Sequence, residues 1–313
     1  MQDSAQTNSQ IHLGEGGKAP NFQRKIIPQK KSQSAMEYLM TYGWAILIIA
    51  VVLVALFQLG IFNANSFAPR AQPGACQVFK TVEGTSLEGE CNNMLPQYVA
   101  LFNGQSSIST GTSGLPAGST ARSVFAWVYW PGPGSGKYEY SIFGYGTWQV
   151  GNEEDILSIW DNNFVGLDCY GCAYTGSQIV SNNAWHFIGY TYAPGSNTVT
   201  FYIDKAAQNV IGGTPLNTLV TVATIGQYAG CGCNSYSFNG LIANVQIYNT
   251  SLSANDVQAL YQEGIGGSPI NPYNLVGWYP LNGNANDYSG NNNNGAATNV
   301  IYISSYTSQY TAP

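Results

Sequence analysis

From Leu39 to Phe57 the chain runs for 19 residues without a charged side chain. A helix rising about 1.5 Å per residue covers roughly the 30 Å of a bilayer's hydrocarbon core over such a length. One spanning helix is therefore expected before anything else is placed. Lys18, Arg24, Lys25, Lys30 and Lys31 precede the run, and only Arg70, Lys80, Arg122, Lys137 and Lys205 follow it. A basic flank stays cytoplasmic, so the C-terminal body is expected outside the cell on a single-pass anchor.

The basic flank joins the apolar run through Lys30-Lys31-Ser32-Gln33-Ser34-Ala35-Met36-Glu37. The run is too long for the core of a secretory signal peptide, and no small-residue cleavage site follows it, so any cut comes before it. The join resembles the class III signal peptides of archaeal type IV pilin-like proteins, in which a basic and a small residue precede Gln at the cut. The resemblance implies a membrane prepilin peptidase that cuts between Ser32 and Gln33, leaving the helix free to pack with pilin-like subunits in a filament core. Glu37 becomes the fifth residue of the mature chain. On the resemblance it pairs with the new amine of a neighbouring subunit; on helix physics alone it is an acid at a helix start, favoured by the macrodipole. The chain departs from the family in its long leader and in Ser32, where Gly is commoner.

Charged residues make up only 8% of the chain and aromatics 13%, a balance that suits short strands and turns and argues against disorder. Past residue 65 there are 13 acidic side chains against five basic ones, a surface that repels nucleic acid. All six cysteines lie in this part, where an even count outside the cell reads as disulfides. Cys76 with Cys91 would close a small loop. Cys169, Cys172, Cys231 and Cys233 fit two bridges or one zinc site with four thiolates. A bridge inside Cys231-Gly232-Cys233 is a tight ring, so pairing across the two clusters is favoured.

The organisation follows: leader 1–32, helix 33–63, linker and small stalk element 64–96, and a body over 97–313. Short runs bounded by Gly, Pro, Asn and Ser cover Tyr98–Phe102, Ser123–Trp130, Tyr138–Tyr145, Asp155–Trp160, Trp185–Tyr192, Thr198–Asp204, Leu219–Ile225 and Ser237–Tyr248. They predict a mainly β protein, an antiparallel β-sandwich behind a long N-terminal hydrophobic α-helix. One body helix is signalled, by capping-box spacing from Ser253 to Asp256 before Val257, Leu260 and Tyr261, with Gly264 as its stop.

These runs resemble laminin-G-like, concanavalin-A-like jellyroll domains. The resemblance rests on Phe102-Asn103-Gly104, Phe125-Ala126-Trp127-Val128, Trp185-His186-Phe187-Ile188, Thr198 to Asp204, and Phe238 to Asn249 followed by Leu252-Ser253, in order over roughly 97 to 265. The stretch Leu275 to Asn291 resembles the first strand and turn of the same family, yet it comes last. A circular permutation, with the first strand supplied by 275–303, is favoured over a truncated second domain, since sandwich termini lie close together.

For catalysis, Glu153-Glu154-Asp155 offers clustered carboxylates, but neighbours on a strand face opposite sides, and a solvated turn is expected. His186 is expected to be structural, and no Ser-His-Asp arrangement is evident. The Asn-rich stretch around Asp287 could give oxygens to a structural calcium, or serve only its own turns. Tyr138, Tyr140, Tyr145, Trp148, Tyr170, Tyr174, Tyr228 and Tyr236 lie in or near loops where a ring could stack on a sugar. Asn249-Thr250-Ser251 is a glycosylation sequon. The function expected is a pilin-like cell-surface protein that binds glycans or surface proteins and is not an enzyme. The alternatives are a tethered binding protein that never polymerises, and a polysaccharide-degrading jellyroll enzyme.

Overall fold

The computed structural model describes residues 35–58, 70–71, 77–81, 84–88, 95–212 and 214–313, and the chain divides into two compact units after Ala55. The first is essentially α1 (Ala35–Gln58). Trp44, Ile46, Ile48, Ile49 and Phe57 on this helix are all more than half exposed. Among the described residues no helix is long and apolar enough to cross a membrane.

In the second unit, β1 (Arg70–Ala71) lies parallel to β4 (Leu95–Pro96), and β2 (Gln77–Thr81) forms a hairpin with β3 (Gly84–Glu88). The sandwich follows with β5 (Val99–Asn103), β6 (Ser107–Thr110), β7 (Arg122–Trp130), β8 (Glu139–Gly146), β9 (Glu154–Trp160), β10 (Phe164–Asp168) and β11 (Tyr174–Ile179). It continues with β12 (Ala184–Ala193), β13 (Thr198–Ile203), β14 (Ala206–Ile211), β15 (Val222–Ile225) and β16 (Asn239–Tyr248). After α2 (Ala254–Glu263) come β17 (Leu275–Tyr279), β18 (Ala296–Thr298) and β19 (Ile301–Ile303). One sheet has the order β14-β13-β12-β7-β16-β5-β19, with β17 also on β16; the other has the order β11-β10-β9-β8-β15-β6-β18.

The two faces of β7 explain the layering. Val124, Ala126, Val128 and Trp130 alternate into the core between the sheets. Phe125 and Trp127 point the other way, into a second apolar layer. α2 and the C-terminal segment cover that layer: Tyr261 stacks on Trp127 at 5.8 Å and Tyr310 meets it edge-on at 5.4 Å. The helix begins as its sequence indicates, with the full Ser253–Asp256 capping box, and ends at Gly264, whose φ of 77° suits glycine.

Two polar groups lock the layers. Arg122 on β7 is fully buried and donates to Asp155 of the opposite sheet at 2.9 Å, to Tyr145 and Thr218 at 2.8 Å each, and to the Gly118 carbonyl at 2.6 Å. Asn244 sits at the β16 bulge with φ 51°. Its side chain accepts from Trp278 Nε1 at 2.8 Å and donates to the Gly267 carbonyl at 2.8 Å. The segment 275–303 adds β17 to the middle of one sheet and β18 and β19 to edges of both.

Candidate functional site

Alternation along β9 sends Asp155, Leu157 and Ile159 inward and Glu154, Ile156 and Ser158 outward. The solvated turn expected for Glu153-Glu154-Asp155 is corrected: Glu154 and Asp155 open β9 and are buried on opposite faces of it. Glu154 is 0% exposed, because the segment after β15 folds back over the outer face of this sheet and packs Tyr228 and Ala229 on Ile156, whereas Asp155, 1% exposed, is buried between the sheets against Arg122. Tyr228 Oη lies 2.6 Å from Glu154 Oε2 and 2.9 Å from Asp168 Oδ2, its hydrogen shared between them. Glu139 on β8 joins this group and accepts from Ser158 Oγ at 2.5 Å. Burial, helped by the charges of Asp168 and Glu154, pushes the Glu139 carboxyl up to about 8. Burial also raises Glu154, and drives the Tyr228 hydroxyl far above its ordinary range. Among the described residues no three acidic, cysteine or histidine side chains are grouped to hold a metal.

The free carboxylate oxygens tie down the neighbouring loops. Glu154 Oε1 accepts from the Gln149 amide at 2.5 Å, and Asp168 Oδ1 from the Tyr170 amide at 3.0 Å. The Asn152 amide donates to the Cys169 carbonyl at 2.9 Å. The loop after β10 and the loop after β15 each carry their own disulfide, Cys169–Cys172 and Cys231–Cys233. The cross-cluster pairing favoured from the sequence is therefore corrected. Cα separations of 5.4 and 5.1 Å put each near pair within bridging distance, with Gly171 and Gly232 turning the backbone at positive φ.

At the start of β8, beyond Glu139, a cleft of about 220 Å³ opens between Asn103, Gln105, Ser135, Lys137, Tyr140 and Asn239. The amide-bearing residues are exposed at its mouth. Lys137 Nζ donates to the carbonyls of Ser237 at 3.0 Å and Gly104 at 3.3 Å and sits 5.8 Å from the Tyr140 ring centre. Partial burial lowers its pKa.

The laminin-G family profile described as the concanavalin A-like lectin/glucanases superfamily matches residues 102–258. The chain belongs to this superfamily. The match covers β6 to β16 and the first half of α2 and leaves β17, β18 and β19 outside. No curated protein matches the chain. Among solved structures, a candidate carbohydrate binding protein from Bacteroides ovatus shares 15% identity at a TM-score of 0.50, over 70% of this chain and 62% of the other. A heptameric SAP-like pentraxin from Limulus polyphemus shares 11% identity at a TM-score of 0.46, over 66% and 94%. Domain 4 of an extracellular arabinanase from Geobacillus stearothermophilus, in complex with arabinotriose, shares 20% at 0.41, over 62% and 86%. The chain thus spans less than two thirds of the first of these proteins, and the likenesses describe the fold.

Within this lectin/glucanase-type sandwich the remaining sequence candidates scatter. Tyr138, Trp148 and Tyr170 are exposed by 75%, 39% and 48%, whereas Tyr140, Tyr145, Tyr174 and Tyr228 are buried and Tyr236 packs beside Tyr228. Asp287 is spent on its own loop, accepting from the amides of Trp278, Ser289 and Asn293 and from Ser289 Oγ at 2.9–3.0 Å. Asn249 is exposed just past β16. Ser32, Gln33, Cys76 and Cys91 lie outside the described residues, and Glu37 falls in the first turn of α1 with its side chain outside them.

A Ser-His-Asp arrangement, not evident in the sequence, is present. Pairing of β12 with β13 brings His186 Nδ1 to 2.9 Å from Asp204 Oδ2, and Nε2 lies 2.9 Å from Ser181 Oγ. The same Nε2 is 3.1 Å from the Ser181 carbonyl, which calls for a donor there rather than a base. The Asp204 carboxylate also accepts the Phe187 amide at 2.9 Å. The trio fastens the β11–β12 and β13–β14 turns. No spacing signal could have found it, because Ser181 and Asp204 meet His186 only through the sheet.

Proposed function

We propose that this protein is a cell-surface glycan-binding protein whose jellyroll is carried outside the cell by the N-terminal apolar helix. The observation that carries the binding part is the polar cleft at the start of β8, in a domain of lectin/glucanase ancestry. Its mouth offers the amides of Asn103, Gln105 and Asn239 and the Ser135 hydroxyl, groups that pair with sugar hydroxyls in both directions. The carbohydrate-binding description of the Bacteroides ovatus protein supports the same reading. Binding is favoured over hydrolysis because Glu139 and Glu154 are buried and Asp168 alone of the cluster is partly exposed, which leaves no open pair of carboxylates for the chemistry of glycosidases. A panel of immobilised polysaccharides tests this: Asn239→Ala should weaken retention of the full-length protein on the sugar it selects. Turnover of any polymer in the panel would sink the non-catalytic reading.

The anchoring part rests on α1, whose large side chains are apolar on every side and exposed. Such a helix needs lipid or neighbouring helices to cover it. In this reading the prepilin peptidase cuts between Ser32 and Gln33, and Glu37 guides assembly with pilin-like subunits. Mass spectrometry of the mature N-terminus checks it. A start at Gln33 supports processing, and an intact leader leaves a tethered jellyroll that never polymerises.

A further inference from the structure

Trp148 and Tyr170 stay exposed, at 39% and 48%, in a chain that buries most of its other large rings. The loops that carry them are unusually well held. The amide next to Trp148, that of Gln149, is bound by Glu154, and the amide of Tyr170 is bound by Asp168. The second oxygen of each carboxylate meets one and the same hydroxyl, that of Tyr228. Gln149, Asn152 and Tyr170 all sit at positive φ, between 46° and 65°, a backbone that only firm surroundings keep. Gly230, beside the Cys231–Cys233 bridge, lies so close to Trp148 that a Cβ there would come within 3.0 Å of the Trp148 Cβ. Glu154 and Asp168 thus brace two exposed rings on adjoining loops.

We propose that Trp148 and Tyr170 form an aromatic platform for the ring faces of a neutral glycan, with the exposed amides of Gln149 and Asn217 at its edge; this rests on the glycan-binding reading and places a second site at the far end of β8 from the cleft. Exposed rings offer large contact area at little entropy cost, and loops fixed before the ligand arrives spare the cost of ordering them on binding. Charge selects the kind of sugar. Residues 146–153, 168–173, 217–222 and 227–236 contain no Lys, Arg or His. Sialylated, sulfated or uronic chains meet no cation on these loops. Neutral pyranose faces meet rings and amides.

The test uses full-length protein in detergent micelles, with affinity electrophoresis through dextran, mannan and galactan and with hyaluronan as the acidic probe. Retardation by a neutral polymer should weaken about tenfold in Trp148→Ala and in Tyr170→Ala, persist in Trp148→Phe, and come with quenching of tryptophan fluorescence that Trp148→Ala reduces. Thermal unfolding of each variant separates lost binding from lost fold. Unchanged retardation in both alanine variants, with loss in Asn239→Ala, overturns the platform and leaves the glycan reading intact. Preference for hyaluronan overturns the neutral specificity. A wild type retarded by none of the polymers overturns the glycan reading itself, and a change in sedimentation without a change in retardation assigns the rings to protein contact instead.

Discussion

Glu139 faces Ser158 on β9, Asp168 on β10 and Glu154 across the same surface, and within this group no cation answers its charge. Burial and those two acids hold its proton to about pH 8, whereas an unfolded glutamate releases it near 4.3. Between these values the folded state binds more protons, so this residue's contribution to stability falls as pH rises from roughly 4.3 to 8 and levels off above. Glu139→Gln keeps the shape and removes the titration. Thermal melts from pH 5 to 9 should show a flatter profile for the variant and a higher melting temperature than wild type at pH 8.5. Arg122 presents the opposite case, a buried cation with every neighbour used. Arg122→Met strands the Asp155 carboxylate between the sheets and should cost about 3–5 kcal/mol in urea unfolding.

α2 shows how local signals translate into an element. Ser253 accepts from the Asp256 amide and Asp256 returns the contact to the Ser253 amide, so Ser253→Ala should remove about 1 kcal/mol, read by chemical denaturation. That helix could be read from its capping box, and the long apolar strands β7, β12 and β16 from runs of residues buried on both faces. β6, β10, β11, β14, β18 and β19 could not. They are short; β6, β11, β14 and β18 are rich in small and polar residues, β10 and β19 have only five and three residues, and the pairing of all six comes from neighbours rather than from their own composition. Leu219 misled for a related reason: it is 51% exposed and lies before β15, tied instead to the Glu153 carbonyl. The acid cluster was hidden because its parts come from β8, β9 and β10 and a loop some 60 to 90 residues away. Periodicity shows which way Glu154 points, not that Tyr228 covers it.

At the scale of the whole molecule, the last strands hold the first. β19 pairs with β5, β18 pairs with β6, and Tyr306 donates to the Pro96 carbonyl. Removal of residues 296–313 would bare the flanks of β5 and β6 and uncover Trp127 and Trp185, which Tyr310 and Tyr306 meet. The truncated protein should expose apolar surface and aggregate, as dye binding and gel filtration would report. The same closure sets a schedule for biosynthesis. Contacts spanning about 200 residues are slow to form, and here they cannot form at all until the final stretch has been made. β5 and β6 must wait, each lacking one partner, until the ribosome has reached residue 303, so in the newborn sandwich their edges need protection longest.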